Sequence, residues 1–308
     1  MRAREPDETG IVRGVYWERF GDGEPTVLFV PPWAIVHSRV WKMQVPYFAR
    51  HFRVVVFDPR GNGRSERCTD PRAYAETEYA RDLLAVMDAS ETERAVLVSL
   101  SLGAQRALLA ADAEPERVLG LAFVAPAVPL APGIAERTVF AERFEEELGT
   151  DRGWAKFNAH YWRREYRAFL EFFFGRAFTE PHSTKQLEDT VDWGLESDAE
   201  TLIATACAEG LDEDAIRAIC DRLDCPVLVI HGEDDAIRPV AAGRELASAA
   251  GGDFLGLEGA GHCPQARKPV AVNLALRSFI ERVARPPPVL ATAETRKEEP
   301  AWLRLNLP

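Results

Sequence analysis

Short runs of apolar, β-branched residues alternate along this chain with stretches of helical periodicity, and this alternation constrains the fold more than any other feature. The runs are hydrophobic nearly throughout, which is typical of parallel strands covered on both faces by helices. The pattern therefore predicts an α/β protein with a mostly parallel, doubly wound sheet. The predicted strands are residues 27–30, 53–57, 95–99, 119–124, 226–231 and 253–257, and the predicted helices are residues 40–50, 77–89, 102–112, 240–250 and 269–283.

The alternation stops between residues 131 and 223, where the periodicity is helical and aromatic side chains are frequent. Residues 131–223 are therefore interpreted as a helical cap, inserted into an α/β core formed by residues 1–130 and 224–285. Because ligand sites tend to form where two layers meet, at least two of the cap's aromatic rings are expected to line a pocket. Residues 286–308 begin with three prolines and continue with polar residues, and they are interpreted as a linker or tail.

The composition disfavours several classes of function. The chain has 308 residues and a formal net charge of −12, which disfavours binding to nucleic acid or to an anionic membrane surface. Five scattered cysteines and the lack of an apolar N-terminal leader predict a cytoplasmic protein. Cys220 and Cys225 have no second pair of ligands nearby in the sequence, so no metal site is predicted. The expected partner is a small-molecule substrate, and an oligomer is compatible with these features.

The most informative local feature is a serine at the junction of a predicted strand and a predicted helix. Residues 96–104 read VLVSLSLGA, and Ser101 is followed two residues later by Gly103. This segment is close to the G-x-S-x-G nucleophile elbow, although Ser99 stands where the first glycine is expected. In such an elbow the helix directs its free N–H groups at the reaction centre, so the backbone N–H of Leu102 is a candidate oxyanion donor.

Two later loops carry the other groups that a serine nucleophile needs. The segments HGEDDAIRP and GAGH each follow a predicted strand, and catalytic groups in open α/β sheets collect at the carboxyl ends of strands. The resulting chain order is Ser101, Asp235, His262. In this arrangement the imidazole takes the serine proton and the carboxylate orients the ring. Asp234 is the alternative acid.

With these features the chain resembles the α/β-hydrolase fold superfamily over residues 10–283. Residues 57–65 read FDPRGNGRS, which is similar to the D-x-R-G-x-G-x-S loop of that family and is interpreted as a turn, not as a phosphate loop. In the family the acid usually stands three residues after the glycine in G-x-x-D, which favours Asp235 over Asp234. The resemblance implies a hydrolase with a Ser-Asp-His triad and a helical cap, and with no cofactor.

The sequence departs from the family pattern at the expected oxyanion loop. Members usually carry His-Gly after the third strand, and the next residue supplies one oxyanion N–H; here the strand is followed by Pro31, Pro32 and Trp33. Because proline has no N–H, Trp33 is the candidate donor by position. For His37, which follows this loop, a structural role is favoured over a place at the pocket, and His231 is expected to be a packed structural residue.

The leading interpretation is a cofactor-free serine hydrolase that cleaves a carboxylic ester, or a similar acyl compound, of a small to medium apolar or aromatic substrate. Ser101 would attack the carbonyl and form an acyl-enzyme that water releases. A thioesterase, a lactonase, a C–C bond hydrolase or a perhydrolase could use the same triad. A non-catalytic ligand-binding domain is the alternative from another class, while Ser101 disfavours the dehalogenases and epoxide hydrolases of this fold, which use an Asp nucleophile.

Overall fold

A computed structural model describes residues 5–284, and its centre is an eight-stranded sheet. The strands are β1 (Glu8–Val12), β2 (Val15–Phe20), β3 (Thr26–Val30), β4 (Arg53–Phe57), β5 (Ala95–Leu100), β6 (Val118–Val124), β7 (Val227–Gly232) and β8 (Asp253–Leu257). They lie in the order β1-β2-β4-β3-β5-β6-β7-β8. The pairs β1–β2 and β2–β4 are antiparallel, and the pairs from β4 to β8 are parallel. The predicted mostly parallel sheet is confirmed.

The sequence analysis missed the first two strands, while each of the six predicted strands is present with its bounds within one residue. β1 and β2 form a hairpin at the sheet edge, joined by Arg13 and Gly14, both of which have positive φ angles, 50° and 76°. Positive φ at both loop residues is the signature of a tight two-residue hairpin turn. Because an edge hairpin exposes one face to solvent, its residues do not form the continuous apolar runs that revealed the other strands.

The helices are α1 (Val45–Phe48), α2 (Glu76–Ala89), α3 (Gly103–Ala113), α4 (Ala135–Ala141), α5 (Ala159–Ala177), α6 (Thr184–Gly194), α7 (Ala199–Ala206), α8 (Glu213–Cys220), α9 (Val240–Ala249), α10 (Pro264–Arg267) and α11 (Pro269–Val283). The predicted helix over residues 40–50 is wrong. That segment holds a 3₁₀ turn over Ser38–Trp41 and then the short α1. Pro46 stands in the first turn of α1, and because proline cannot donate a backbone hydrogen bond, it separates the two pieces.

Both faces of the central strands are covered, which explains why these strands are almost entirely apolar. In β5 the side chains of Val96, Val98 and Leu100 join the hydrophobic cluster on one face, while Ala95 and Leu97 join the cluster on the other. Successive residues of a strand point to opposite faces, so a strand covered on both sides is apolar at nearly every position, and the one polar residue of β5, Ser99, is fully buried. The doubly wound architecture follows from this alternation.

The segment between β6 and β7 contains only helical elements within the described residues. Aromatic rings form much of its interior, with Trp162 stacked on Phe169 at a centroid distance of 4.3 Å. The last of its helices, α8, packs on α3 and contributes Ile216 and Ile219 to the core on that face of the sheet. The predicted tail, residues 286–308, lies outside the described residues. None of the helices within residues 5–284 is both long and apolar enough to cross a membrane.

Candidate active site

Ser101 lies at a sharp turn between β5 and α3 and has a φ of 54°. A positive φ is strained for a residue with a side chain, and such strain clusters at functional sites. The turn is held by a hydrogen bond from the Ser101 N–H to the carbonyl oxygen of Val124, at 3.0 Å. At Gly103 a Cβ atom would lie 2.7 Å from the carbonyl oxygen of Pro31, so only glycine fits. The local geometry is that of the elbow expected from the sequence.

Three side chains that are distant in the sequence meet beside this turn. His262, in the loop after β8, has its Nε2 atom 3.1 Å from Ser101 Oγ. Its Nδ1 atom lies 2.7 Å from Oδ2 of Asp235, in the loop after β7. A carboxylate at Nδ1 favours the tautomer that carries its proton there, which leaves Nε2 able to accept the serine proton. Asp234, the alternative acid, is exposed, and its backbone N–H donates to the carbonyl of Ala260.

The carboxylate of Asp235 is buried and receives hydrogen bonds at both of its oxygens. Oδ1 accepts from the backbone N–H groups of Ile237 and Arg238, at 2.7 and 2.9 Å. Oδ2 accepts from His262 and also lies 2.9 Å from Nε2 of His231. Burial alone would raise the pKa of Asp235, but the charges and hydrogen bonds of His262 and His231 outweigh it and hold this pKa well below its usual range. The group is therefore a carboxylate under all ordinary conditions.

His231 is buried, as the sequence analysis expected, but it also contacts the acid of the site. Its contact could have been suspected from the spacing, because His231 and Asp235 are four residues apart around one loop. Cys263, next to His262, lines the same cavity, and burial raises the pKa of its thiol, which keeps it in the less reactive protonated form. Within residues 5–284 no group of three or more His, Cys, Asp or Glu side chains is placed to hold a metal ion.

A cavity of about 290 Å³ opens between the sheet and the helical segment above it, and Ser101 and His262 line its floor. The aromatic rings of Phe157, Phe173 and Phe174 line it from the helical side, which confirms the expectation that at least two such rings would do so. The remaining lining residues are Pro32, Trp33, Ile35, Val36, Val40, Glu76, Leu100, Leu102, Gln105, Ala127, Arg137, Ala177, Thr190, Thr205, Ala206, Ala208, Glu209, Gly210, Ile237, Arg238 and Cys263.

Trp33 and Leu102, the two residues predicted as oxyanion donors, both line this cavity. Leu102 is the residue that precedes the first turn of α3, where helix N–H groups are unpaired. Within the described residues, neither the Trp33 nor the Leu102 backbone N–H donates to a protein acceptor. The Trp33 side chain is bound to the helical segment, because its indole Nε1 donates to Thr205 Oγ1 of α7 at 2.7 Å.

Arg106 holds the double-proline loop, and the sequence analysis did not identify it. One guanidinium nitrogen donates to the carbonyl oxygens of both Pro31 and Pro32, at 3.0 and 2.8 Å. The Nε atom donates to Glu76 Oε2 at 2.9 Å, and the ion pair is buried. Pro31 and Pro32 have no backbone N–H with which to hold this loop in place. Instead, Arg106 of α3 holds it by donating hydrogen bonds to both proline carbonyl oxygens. The available signal was an arginine in the mostly apolar sequence of α3, on a helix whose other polar residues are Gln105 and Asp112.

The FDPRGNGRS segment holds the residues that follow Trp33 in place. Asn62 donates to the carbonyl oxygen of Ala34, at 2.8 Å. Asp58 accepts from the backbone N–H and the hydroxyl of Ser38, at 3.1 and 2.6 Å. His37 does not line the cavity: it is buried beside Asp58, and burial lowers its pKa. This segment is thus a structural turn that fixes the chain just after Trp33, at Ala34 and Ser38.

We expect Arg106→Met to lower both stability and turnover. Breaking a buried ion pair by removing one partner costs about 3–5 kcal/mol, because Glu76 is left buried and uncompensated. Loss of the two contacts to the proline carbonyls should also let Trp33 move, and we expect kcat to fall by roughly 10- to 100-fold, less than the full loss of an oxyanion donor. Urea denaturation measures the first effect and steady-state kinetics the second.

The double variant Glu76→Met/Arg106→Met separates the two effects. It removes both charges together, so the free energy of unfolding should recover most of the loss. Its kcat should stay low, because the carbonyls of Pro31 and Pro32 still lack their donor. A double variant that regains full kcat would show that Arg106 stabilises the fold without positioning the loop.

Comparisons with known proteins agree with this architecture. The family model described as the alpha/beta hydrolase fold matches residues 25–269. The chain is 26% identical over 264 residues to 3-oxoadipate enol-lactonase 2 of Acinetobacter baylyi, covering 85% of this chain and 91% of that protein. It is 34% identical over 110 residues to a putative carbamate hydrolase of Azorhizobium caulinodans, covering 36% of this chain and 40% of that protein.

Among solved structures, the enol-lactonase from Burkholderia xenovorans superposes with a TM-score of 0.70 at 24% identity, covering 89% of this chain and all of that one. A likeness at this level of identity shows a common fold. With the match of the family model over most of its length, the chain belongs to the alpha/beta hydrolase fold family. It is a hydrolase of that family.

Proposed function

We propose that the protein is a cofactor-free serine hydrolase that cleaves a carboxylic ester, or a related acyl compound, through an acyl-enzyme on Ser101. One observation carries this proposal: a continuous chain of hydrogen bonds runs from Asp235 through His262 to the Ser101 hydroxyl at the floor of a cavity. A serine hydroxyl is a weak nucleophile until a base takes its proton, and this arrangement supplies an oriented base.

In the first half of the proposed reaction, Ser101 Oγ attacks the carbonyl carbon while His262 Nε2 takes the hydroxyl proton. Asp235 stabilises the imidazolium that forms. The oxygen of the tetrahedral intermediate accepts hydrogen bonds from the backbone N–H groups of Trp33 and Leu102. When the intermediate collapses, His262 gives the proton to the leaving alkoxide, and the acyl group stays on Ser101 as an ester.

In the second half, water attacks this acyl-enzyme. His262 takes a proton from the water, the same two N–H groups stabilise the oxyanion, and the proton returns to Ser101 Oγ as the carboxylic acid leaves. Each oxyanion donor is worth about 3 kcal/mol of transition-state stabilisation. Two observations support these two donors: both residues line the cavity, and neither backbone N–H donates to a protein acceptor in the described part of the chain.

The size and lining of the cavity support a small to medium acyl substrate. Its volume of about 290 Å³ is at the lower end of ligand pockets, and much of its wall is aliphatic or aromatic. A lactonase is the second candidate, because a relative that matches most of this chain carries the name 3-oxoadipate enol-lactonase 2. A lactone is an internal ester, so the same chemistry applies to it.

Covalent labelling tests the proposal directly. We expect a fluorophosphonate probe, and the acyl group of p-nitrophenyl butyrate under rapid quench, to appear on the peptide that contains Ser101. The matched control is Ser99→Ala, because Ser99 is the neighbouring serine on β5 and is fully buried. This variant should label as the wild type does. Absence of labelling, or a label on a residue other than Ser101, contradicts the proposed function.

A further inference from the structure

Two arginines line the same cavity as Ser101 and His262. Arg137 belongs to α4 in the helical segment, and Arg238 belongs to the loop that carries Asp235. Neither arginine forms an ion pair with an acidic side chain of residues 5–284, in contrast to the buried pair of Arg106 with Glu76 in the same region. Removing a cation from water without a contacting counter-charge costs free energy. Two such cations in a cavity beside Ser101 therefore indicate that the ligand of this cavity supplies negative charge.

Arg137 uses little of its hydrogen-bonding capacity within the protein. One of its terminal nitrogens donates to the carbonyl oxygen of Ile237 at 2.7 Å. Its guanidinium lies 5.2 Å from the ring of Trp154 and 5.5 Å from that of Phe157, so aromatic faces hold it in place. Burial and the nearby charge of Arg238 lower the pKa of Arg137 to about 9. The group is charged at neutral pH, and most of its five N–H donors have no acceptor among residues 5–284.

No acidic side chain around the cavity is in direct contact with either guanidinium within residues 5–284. The charge of Asp235 acts on both arginines from a distance, but its oxygens already accept from two backbone N–H groups and two histidines. Glu76 is paired with Arg106. Glu209 is exposed and forms no ion pair with Arg137 or Arg238. The N–H groups of the two guanidiniums are thus left without a carboxylate acceptor in the described residues.

We propose that the substrate carries an ionised carboxylate in its acyl part, remote from the scissile bond, and that Arg137 and Arg238 bind this carboxylate. The inference deepens the proposed hydrolase function and rests on it. A guanidinium matches a carboxylate in shape and charge, and two of them account for both of its oxygens. The other residues that line the cavity are largely aromatic and aliphatic, which fits a methylene chain between the ester and the carboxylate. The substrate class is therefore the half-esters of dicarboxylic acids.

The acyl part is the natural place for this carboxylate, because it stays in the cavity on Ser101 through both halves of the reaction. The two arginines would then keep their counter-charge until the product leaves. The product is a dicarboxylate, and the binding of its remote end would orient the acyl-enzyme while water attacks the ester.

Matched pairs of neutral and charged esters test the inference. Monomethyl succinate, glutarate, adipate and pimelate are compared with the methyl esters of butanoic, pentanoic, hexanoic and heptanoic acids. At the best chain length we expect kcat/KM for the half-ester to exceed that for its neutral counterpart by roughly 10-fold or more, as for one hydrogen bond to a charged group. Arg137→Gln and Arg238→Gln should each lower kcat/KM for the half-ester by about 10- to 100-fold, mainly through KM.

The variants distinguish charge recognition from a structural role. The neutral esters should change by less than about 3-fold in both Gln variants, since no carboxylate is bound there. Arg137→Lys keeps the positive charge and should retain part of the preference. Arg164→Gln removes the same charge from an exposed arginine of α5 outside the cavity, and it should leave both series unchanged. Equal kcat/KM for the two series, or an equal loss for both in the Gln variants, overturns the inference.

A binding measurement keeps this inference separate from the proposed function. Isothermal titration of Ser101→Ala with intact monomethyl adipate and with methyl hexanoate reports recognition without turnover. Preferential binding of the half-ester, lost in Ser101→Ala/Arg238→Gln, supports the carboxylate site even if neither ester is hydrolysed by the unmodified protein. Hydrolysis of methyl hexanoate with acylation of Ser101, but without any preference for the half-ester, leaves the proposed function standing and rejects the carboxylate site.

Discussion

Ser101→Ala is expected to lower the kcat of ester hydrolysis by about 10⁴-fold or more. The substitution removes the hydroxyl that lies 3.1 Å from His262 Nε2, and it leaves the cavity and both proposed oxyanion donors in place. Any remaining rate would therefore come from substrate binding and oxyanion stabilisation alone. Steady-state kinetics with p-nitrophenyl butyrate measures the loss, and circular dichroism shows whether the variant is folded.

Ser99→Ala is the control for this variant, because it deletes the same hydroxyl two residues away. Ser99 is fully buried on β5, and its Oγ has no hydrogen-bond partner within residues 5–284. We expect its kcat to stay within about 3-fold of the wild type, as for substitutions outside the reacting groups. A folded Ser101→Ala protein that keeps more than roughly a tenth of the wild-type kcat would place the nucleophile elsewhere.

Asp235→Asn is expected to lower kcat by about 10⁴-fold. An amide in place of the carboxylate can present an N–H to His262 Nδ1, which favours the tautomer with its proton on Nε2. That tautomer cannot accept the proton of Ser101. The matched control is Asp234→Asn, since Asp234 is the adjacent residue and is exposed. A large loss in Asp234→Asn together with a silent Asp235→Asn would reverse the assignment of the acid.

The same variant predicts a pH effect on stability. The folded-state pKa of Asp235 lies below its ordinary value of 3.8, so the carboxylate stabilises the folded protein above that value. This contribution is lost as the pH falls below 3.8 and through the folded-state pKa. The difference in the free energy of unfolding between the wild type and Asp235→Asn should therefore shrink in acid. Urea denaturation of both proteins at neutral pH and near pH 3 measures it, and parallel pH profiles would contradict it.

The features that could be predicted from the sequence depend on local pattern. β5 and β7 are recognisable because both faces of each strand are buried, which makes the sequence apolar at nearly every position, with Ser99 and His231 as the polar exceptions. The meeting of Ser101, Asp235 and His262 was predictable for a related reason. Each of the three follows a strand of one parallel sheet, and the carboxyl ends of such strands lie along the same edge.

The features that escaped prediction depend on contacts between distant segments. In the sequence, Arg106 is a single charged residue of a predicted helix. Its role becomes visible only in the folded chain, where it donates to the carbonyl oxygens of Pro31 and Pro32. Arg137 and Arg238 are a hundred and one residues apart, and no periodicity relates them; only the folded chain brings them to one cavity. The sequence analysis expected an apolar or aromatic substrate because the aromatic residues of the helical segment are frequent enough to be recognised from the sequence alone. The two arginines could not be recognised in this way.

Trp33 is a part of two layers of the molecule at the same time. Its backbone amide is one of the two proposed oxyanion donors, while its indole donates a hydrogen bond to Thr205 on α7. Under the proposed function, sequence changes in α7 that alter the fit of the substrate would also move the residue that stabilises the reaction. Thr205 is the single contact through which substrate preference and turnover would then change together.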